Sequence, residues 1–216
     1  MYFMSIAVPR VTTRARVLPG RPRAFAPDAA LRVALDVFWQ QGYEATSLDD
    51  LTRAMGLSRS SFYACFGSKH AVLIAAVRLY ADERFAALTA HAESNPDPRA
   101  AVRAMLGVIA DVDGGTRGCL FVNAVAELAP GDAELVEFAQ AHTARVGALM
   151  TAMFARLGCT RAQAAQRAGA ALALALGITT LRKTGVPAPQ LATLLAQAHL
   201  LLPLKKPASH SPRNRS

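Results

Sequence analysis

Residues 46–73 read TSLDDLTRAMGLSRSSFYACFGSKHAVL, and this stretch decides the fold. Its apolar residues recur at roughly helical spacing, and Gly56 stands where the chain must bend sharply. Polar side chains between residues 58 and 63 fill the face that points away from this small core. The pattern predicts a helix-turn-helix, in which the second helix usually lies in the major groove of DNA. The apolar residues of the pattern are Leu48, Leu51, Met55, Leu57, Phe62 and Phe66.

Capping signals extend this pattern in both directions along the chain. A first helix is predicted from Pro27 to Gln41, with Gly42 as its stop signal. The fourth helix is predicted to run from Lys69 to about Ala92. The serines expected to cap the second, third and fourth helices are Ser47, Ser58 and Ser68, and Ser47 forms an acidic variant of the capping box with Asp50.

Beyond the break at residues 95–98 (NPDP), the sequence is helical in pattern and has almost no strand signal. We therefore predict an all-α protein of about nine helices, with a three-helix DNA-binding domain and a larger C-terminal helical domain. The later helices are predicted at residues 99–111, 119–128, 132–157, 161–183 and 189–202.

The net charge of +9 is concentrated at the two ends of the chain. Residues 1–26 hold five arginines and no acid, and residues 201–216 hold four basic residues and no acid, so the body between them is neutral. Basic segments of this kind attract phosphate backbones without sequence preference. Solubilising tails are the alternative interpretation, and it stays open for the C-terminal segment.

Several classes of protein are disfavoured by the same sequence. The three cysteines are odd in number and share no short spacing, so a reducing cytoplasm is expected rather than a disulfide framework. No signal peptide is evident, and the longest apolar run, residues 168–181, is shorter than the roughly 18 residues of a membrane span. The sequence lacks the HExxH, GxSxG and P-loop motifs, so we expect no enzyme, no cofactor and no metal site.

The last two long helices are apolar nearly all round, at residues 168–181 and 191–202. A helix that is hydrophobic on every side must be covered on every side. We therefore expect a homodimer through the helices Arg161–Lys183 and Pro189–Leu202. A single buried hairpin within one chain is the alternative.

These landmarks together closely resemble the DNA-binding domain of the TetR family of bacterial transcriptional regulators. About 50 residues carry the resemblance, whereas the rest of the chain matches only in length, helix count and its apolar final pair. Two positions depart from the family pattern: Thr52 stands where alanine is usual, and Ala64 replaces a common polar contact residue. The matching landmarks are Phe38, Gly42-Tyr43, Thr46-Ser47, residues 54–58 (AMGLS), Phe62-Tyr63, Phe66 and Ser68-Lys69.

The resemblance implies a set of contacts with double-stranded DNA. Arg59, on the helix similar to the recognition helix, is the candidate for a bidentate contact with guanine, with a phosphate contact as the alternative. Tyr63 is expected to bind a phosphate, and Lys69 to do so at a helix N-terminus. The other implied DNA-binding residues are Arg21 and Arg23 in the basic arm, Thr46, Ser47, Ser58, Ser60 and Ser61.

The family also implies a C-terminal domain that binds a small-molecule effector and dimerises. The implied division is a flexible basic arm (1–24), a DNA-binding domain (25–72), an effector-binding and dimerisation domain (73–203) and a basic tail (204–216). Cys119 opens a predicted helix, so it is a candidate sensor of oxidants or electrophiles, with a buried structural cysteine as the alternative. Cys65 is expected to face the core. The candidate effector-binding residues are Met105, Cys119, Phe121, Asn123, Met150 and Phe154. For the apolar residues among them, core packing is the alternative.

The implied function is a ligand-responsive cytoplasmic regulator, which in this family is usually a repressor. It would bind a palindromic operator as a homodimer and be released by a small molecule. The alternatives are an activator, a sensor acting through Cys119, and a protein that binds DNA without sequence preference.

Overall fold

A computed structural model describes residues 27–202, which form nine α-helices and two short 3₁₀ helices. No strand occurs in this described range, as predicted for an all-α protein. The basic arm with Arg21 and Arg23, and the basic tail, lie outside it. The α-helices are α1 (Pro27–Gln41), α2 (Leu48–Met55), α3 (Arg59–Phe66), α4 (Lys69–Ser94), α5 (Pro98–Ala110), α6 (Leu120–Leu128), α7 (Ala133–Arg156), α8 (Arg161–Lys183) and α9 (Ala188–Ala196).

The helix ends around the helix-turn-helix follow the predicted local signals. At the start of α2 the Asp50 amide donates to the Ser47 hydroxyl (3.1 Å) and the Ser47 amide donates to the Asp50 carboxylate (3.0 Å). This confirms the capping box, and the hydrogen bonds from Ser47 hold the pKa of the Asp50 carboxyl below its usual value. Gly56 ends α2 with φ at 66°, a left-handed conformation that glycine adopts without steric cost.

Three details differ from the sequence-based expectation. A 3₁₀ turn at Gly115–Arg117 precedes α6, and the last helix is α-helical only to Ala196 before a 3₁₀ segment, Gln197–Leu201. The prediction that Cys65 faces the core is wrong, because this residue is exposed. The eight-residue α3 lies at the surface and buries only Phe62 fully, so its inward strip is too narrow to include position 65.

Two hydrophobic clusters make up the core, and their division falls inside α4. The first contains residues of α1–α3 and of α4 as far as Tyr80, together with Leu120 and Ala124 of α6 and Leu135 of α7. The second begins at Leu88 and includes α5, most of α7, α8 and α9. The division between the two clusters thus falls between Tyr80 and Leu88, later in the chain than the predicted domain boundary at residues 72 and 73. As a result α6 packs against α1 and the first half of α4, as well as against α7.

Within the described residues, only one side of helix α8 is covered by other helices of the chain. Its buried residues recur every three or four positions, and most are alanines, whereas Gly169, Ala173 and Gly177 lie on the exposed side. Leu181 (41% exposed) and Leu194 on α9 (39% exposed) lie outside the core. By length and composition α8 is apolar enough to cross a membrane, but core helices of soluble proteins meet the same criterion.

Candidate nucleic-acid interface

The N-terminus of α3 presents a cluster of exposed hydroxyl groups. Ser58 caps this helix by accepting a hydrogen bond from the Ser61 amide (3.1 Å), and its Oγ lies 2.9 Å from that of Ser60 and 2.8 Å from that of Ser61. Tyr63, one turn further on, is 53% exposed and packs edge-on against Phe62. These four polar residues therefore lie at the surface together, where hydroxyl groups can reach phosphates or base edges.

Arg59 is oriented by an acidic residue of the preceding helix. Its Nη2 lies 2.7 Å and 2.9 Å from the two carboxylate oxygens of Asp49, and its Nε lies 3.1 Å from one of them. Both side chains are more than half exposed, so water screens the pair and its net contribution to stability is small. Asp49 therefore orients the guanidinium group of Arg59, which stays exposed to solvent.

Two predicted phosphate-binding residues have internal partners in the loop between α1 and α2. The Lys69 ammonium donates to the backbone oxygens of Tyr43 and Thr46 (2.8 Å each) and lies 4.2 Å from the centre of the Tyr43 ring. It retains one N–H for a phosphate. Thr46 is 1% exposed and its hydroxyl donates to the Gly42 oxygen, so its side chain is turned away from any phosphate and positions the loop instead.

The segment from α1 to the start of α4 carries no excess of positive charge. Residues 27–72 contain four basic and five acidic residues. Three of the four cations are paired with acids, in Arg32–Glu83, Arg53–Asp50 and Arg59–Asp49. Long-range attraction of a phosphate backbone must then come from outside this segment, and the five arginines of residues 1–26 are the nearest such charge along the chain.

Helix α6 holds the α1–α2 loop from the other side. The Glu127 carboxylate accepts hydrogen bonds from the Tyr43 amide (2.9 Å) and the Glu44 amide (2.8 Å), more than 80 residues away in sequence. The same loop carries Thr46 and Ser47 and receives Lys69. Glu127 therefore links the end of α6 to the loop that precedes α2.

A second link between the two parts of the protein converges on the Gly118 carbonyl, just before α6. It accepts hydrogen bonds from the Trp39 indole N–H (3.2 Å) and from Nη2 of Arg182 (2.8 Å). Arg182 is 3% exposed and also pairs with Asp111 (3.0 Å). This carbonyl therefore joins α1 to the C-terminal end of α8.

A small cavity of about 70 Å³ lies on the opposite side of α6. It is mainly apolar, and its polar lining residues are Tyr80, Arg84, Cys119, His142 and Thr143. Burial, followed by the neighbouring Cys119, raises the pKa of Tyr80, and burial lowers the pKa of His142. Nδ1 of His142 is buried without a hydrogen-bond partner. The lining residues are Tyr80, Ala81, Arg84, Leu88, Val108, Ile109, Cys119, Phe121, His142, Thr143, Val146, Leu172 and Leu176.

Only two of the six candidate effector-binding residues line this cavity, namely Cys119 and Phe121. Met105, Met150 and Phe154 are completely buried in the second hydrophobic cluster, where neighbouring helices cover them. These three residues therefore pack in the core and do not line the cavity. Asn123 lies on another face of α6, in a half-open groove of about 550 Å³ between α1 and α6.

Several residues of these sites carried no signal in the sequence. Glu127 and Arg182 find their partners across 60 or more residues, and no local pattern marks them. Tyr80 falls within the predicted fourth helix, but its place beside Cys119 depends on how α4 and α6 pack. Within residues 27–202, no group of three or more His, Cys, Asp or Glu residues is arranged to hold a metal ion.

Comparison with known proteins bears on this arrangement. Residues 30–76 match the family model described as bacterial regulatory proteins, tetR family. The fold is similar to that of a cysteine mutant of the TetR family regulator CifR complexed with 26-bp operator DNA, with a TM-score of 0.73, 28% identity, and coverage of 85% of this chain and 100% of that one. Residues 30–76 therefore carry a DNA-binding segment of the TetR family type, on a fold shared with regulators of that family.

Relatives in sequence are also named as helix-turn-helix-type transcriptional regulators. The chain is 33% identical over 122 residues to the uncharacterized regulator YezE of Bacillus subtilis, covering 55% of this chain and 63% of YezE. It is 50% identical over 68 residues to the repressor ComR of Escherichia coli, covering 32% of each chain. The matched segments thus span less than two thirds of these relatives.

Proposed function

We propose that this TetR-family chain is a cytoplasmic repressor that binds a two-fold-symmetric operator as a homodimer and leaves it when a small molecule binds. The observation that carries the proposal is the surface at the start of α3, where Arg59, held by Asp49, stands beside exposed serine hydroxyl groups. ComR and BdcR, both named as repressors, and CifR, solved with operator DNA, support it.

The exposed apolar side of α8 supports a second copy of the chain as the missing cover. Gly169, Ala173 and Gly177 permit close approach of a facing helix, and Leu181 and Leu194 add apolar area at the same end. In a dimer, two-fold symmetry would pair this surface with itself. The two recognition helices would then read successive major grooves, about 34–36 Å apart.

The effector is proposed to act through α6. This helix lines the cavity with Phe121, while Glu127 and the preceding Gly118 bind the helix-turn-helix. A molecule that displaced α6 outward would move the α1–α2 loop, and through it the start of α2. Small changes in the spacing of two recognition helices would then cost several phosphate contacts at once.

A second candidate is sensing of electrophiles through Cys119, favoured by its position on the cavity wall beside Tyr80. In this reaction the thiol sulfur would bond to the electron-poor carbon of an activated alkene, and the thiol proton would end on the adjacent carbon. In a Cys65→Ser, Cys159→Ser background, mass spectrometry after treatment with an enone would show one adduct at Cys119, and a further Cys119→Ser change would abolish the accompanying loss of DNA binding. An adduct that left DNA binding unchanged would contradict this role.

Selection of bound DNA from a random-sequence pool, at near-physiological salt, tests the main proposal. We expect a two-fold-symmetric motif that is retained after deletion of residues 1–20 and 205–216. Tight binding without any motif would favour binding without sequence preference, driven by the basic ends of the chain.

The same selection tests the assignment of Arg59. Replacing it by alanine should relax discrimination at one base pair of each half-site by about 1–3 kcal/mol. Arg53→Ala is a matched control, because Arg53 is an exposed arginine on α2 that is paired with Asp50. Unchanged discrimination in Arg59→Ala would leave Arg59 as a phosphate contact.

A further inference from the structure

We propose that Phe121 is the gate of the cavity beside α6, and that an uncharged, mainly apolar effector enters between α6 and α7 when this ring turns outward. The inference rests on the proposed function, since it assumes that this cavity receives a small molecule. It adds the route of entry, the residue that controls it and the chemical class of the effector.

The size of the cavity indicates that a wall must move. Pockets that hold drug-sized ligands commonly enclose about 300–1,000 Å³. The cavity here measures about 70 Å³, far less than that. Several of its lining residues, such as Leu88 and Val146, belong to the second hydrophobic cluster, so they can move away only if that core opens.

A second space lies directly outside the cavity, between α6 and α7. This open groove measures about 480 Å³, and its wall is mainly apolar. Phe121 and Thr143 line both the groove and the cavity, so they form the partition between them. Removing this partition would join the two spaces into one of ligand size.

Of the two residues, Phe121 is the one whose movement opens the partition. Its ring is half-buried, whereas Thr143 is small and exposed. The ring centre lies 4.9 Å from that of His142 and 6.2 Å from that of Phe138, contacts that a side-chain rotation can exchange for the apolar groove wall. Rotation of one aromatic side chain requires no change in helix packing.

The charges around the cavity indicate an uncharged effector. The Arg84 guanidinium already has partners within the protein: it donates to the Val108 carbonyl and lies 3.7 Å from Asp111, a carboxylate that it shares with Arg182. Burial and the charge of Arg145 lower the pKa of His142, which favours its neutral form. A buried charge without a partner is costly, whereas the Tyr80 hydroxyl and the unpartnered Nδ1 of His142 can serve one or two hydrogen-bonding groups on a ligand.

Cys119 provides a built-in reporter, because it lines the cavity but not the groove. In a Cys65→Ser, Cys159→Ser background, the rate at which the uncharged disulfide 4,4′-dithiodipyridine labels Cys119 measures access to the cavity. We expect Phe121→Ala to raise this rate at least about tenfold, because the ring no longer separates the cavity from the groove, and Phe121→Leu to raise it less. Phe121→Leu also keeps the test informative if the alanine variant fails to fold.

Two controls separate gating from general loosening. Val125→Ala removes bulk from the groove on the same helix but not from the partition, so it should leave the Cys119 rate unchanged. In a Cys65→Ser, Cys119→Ser background, Phe121→Ala should leave labelling of Cys159 unchanged, because Cys159 packs against the second cluster.

Equal rates for wild-type Phe121 and both variants would overturn the proposal. Equal acceleration by Val125→Ala, or at Cys159, would overturn it as well. Because labelling is measured without DNA, a failure here is distinct from failure to select an operator.

Discussion

The helix-turn-helix and the cavity beside α6 differ in the range of the contacts that build them. Around α3, the serine hydroxyl groups lie within three residues of one another, and Arg59 finds Asp49 ten residues away. The cavity draws its walls from five helices, α4 to α8, and from residues as distant in sequence as Tyr80 and Leu176. Local contacts can be inferred from sequence spacing, whereas distant ones depend on packing.

The contacts of α6 connect these two regions. Glu127 and Gly118 bind the α1–α2 loop and Trp39 on one side, while Phe121 lines the cavity on the other.

Loss of the dimer should have the largest effect on operator binding. Ala173→Arg places a charge at the centre of the exposed side of α8, where a facing copy would have to bury it. Sedimentation should show a monomer, and operator affinity should fall by at least about a hundredfold, because one protomer reaches one half-site. The matched control is Ala86→Arg, on an exposed position of α4. A dimeric Ala173→Arg with normal affinity would place the interface elsewhere.

Asp49→Ala should separate specificity from affinity at the DNA surface. Removing this carboxylate deletes a negative charge near DNA, so overall affinity should rise modestly, while discrimination should fall by about 1 kcal/mol because Arg59 loses its orienting partner. Affinities for the operator and for a variant with one changed base pair give both quantities. Glu44→Gln, which removes a charge without contacting Arg59, should raise affinity and keep discrimination. If both variants behave alike, Asp49 acts through its charge alone.

Glu127→Ala should loosen the α1–α2 loop and lower operator affinity by about 1 kcal/mol, the usual net value of a hydrogen bond to an exposed group. Hydrogen exchange should accelerate at the amides of Tyr43 and Glu44, while Glu127→Gln should show a smaller effect. The control is Glu137→Ala on α7, an exposed glutamate remote from this loop in sequence. Unchanged exchange at both amides would show that α6 does not hold the loop.

Acid pH should reveal a still smaller contribution from Asp132. The hydrogen bond from the Leu135 amide, and to a lesser degree His70, hold the pKa of its carboxyl below the usual value, so it stabilises the fold above the unfolded pKa of about 4. That stability is lost as the pH falls through the lower, folded pKa. Denaturant unfolding of Asp132→Asn should therefore show a weaker dependence on pH below about 4 than the wild type. Parallel curves would exclude this role.

Much of the fold was predictable because its signals are local. The boundaries of α1 to α4 follow from Gly42, Gly56 and the capping serines, each of which acts within one helical turn. The interpretation of Thr46 as a phosphate contact missed that its hydroxyl is buried against Gly42. The interpretation of Met105 as a pocket residue missed how tightly α5 packs. In both cases the residue type was compatible with the role, and only the three-dimensional neighbours decided against it.

The central claim is that two copies of this chain present two α3 helices to one operator. Cys65, exposed on α3, permits a direct test, because it can carry a spin label in a Cys119→Ser, Cys159→Ser background that still binds the selected operator. Pulsed electron resonance would then measure the distance between the labels of the two protomers. The account predicts a resolved distance that narrows on operator DNA to about one helical turn of DNA, 34–36 Å, allowing for the label's own length. The absence of any dipolar coupling on operator DNA would contradict it.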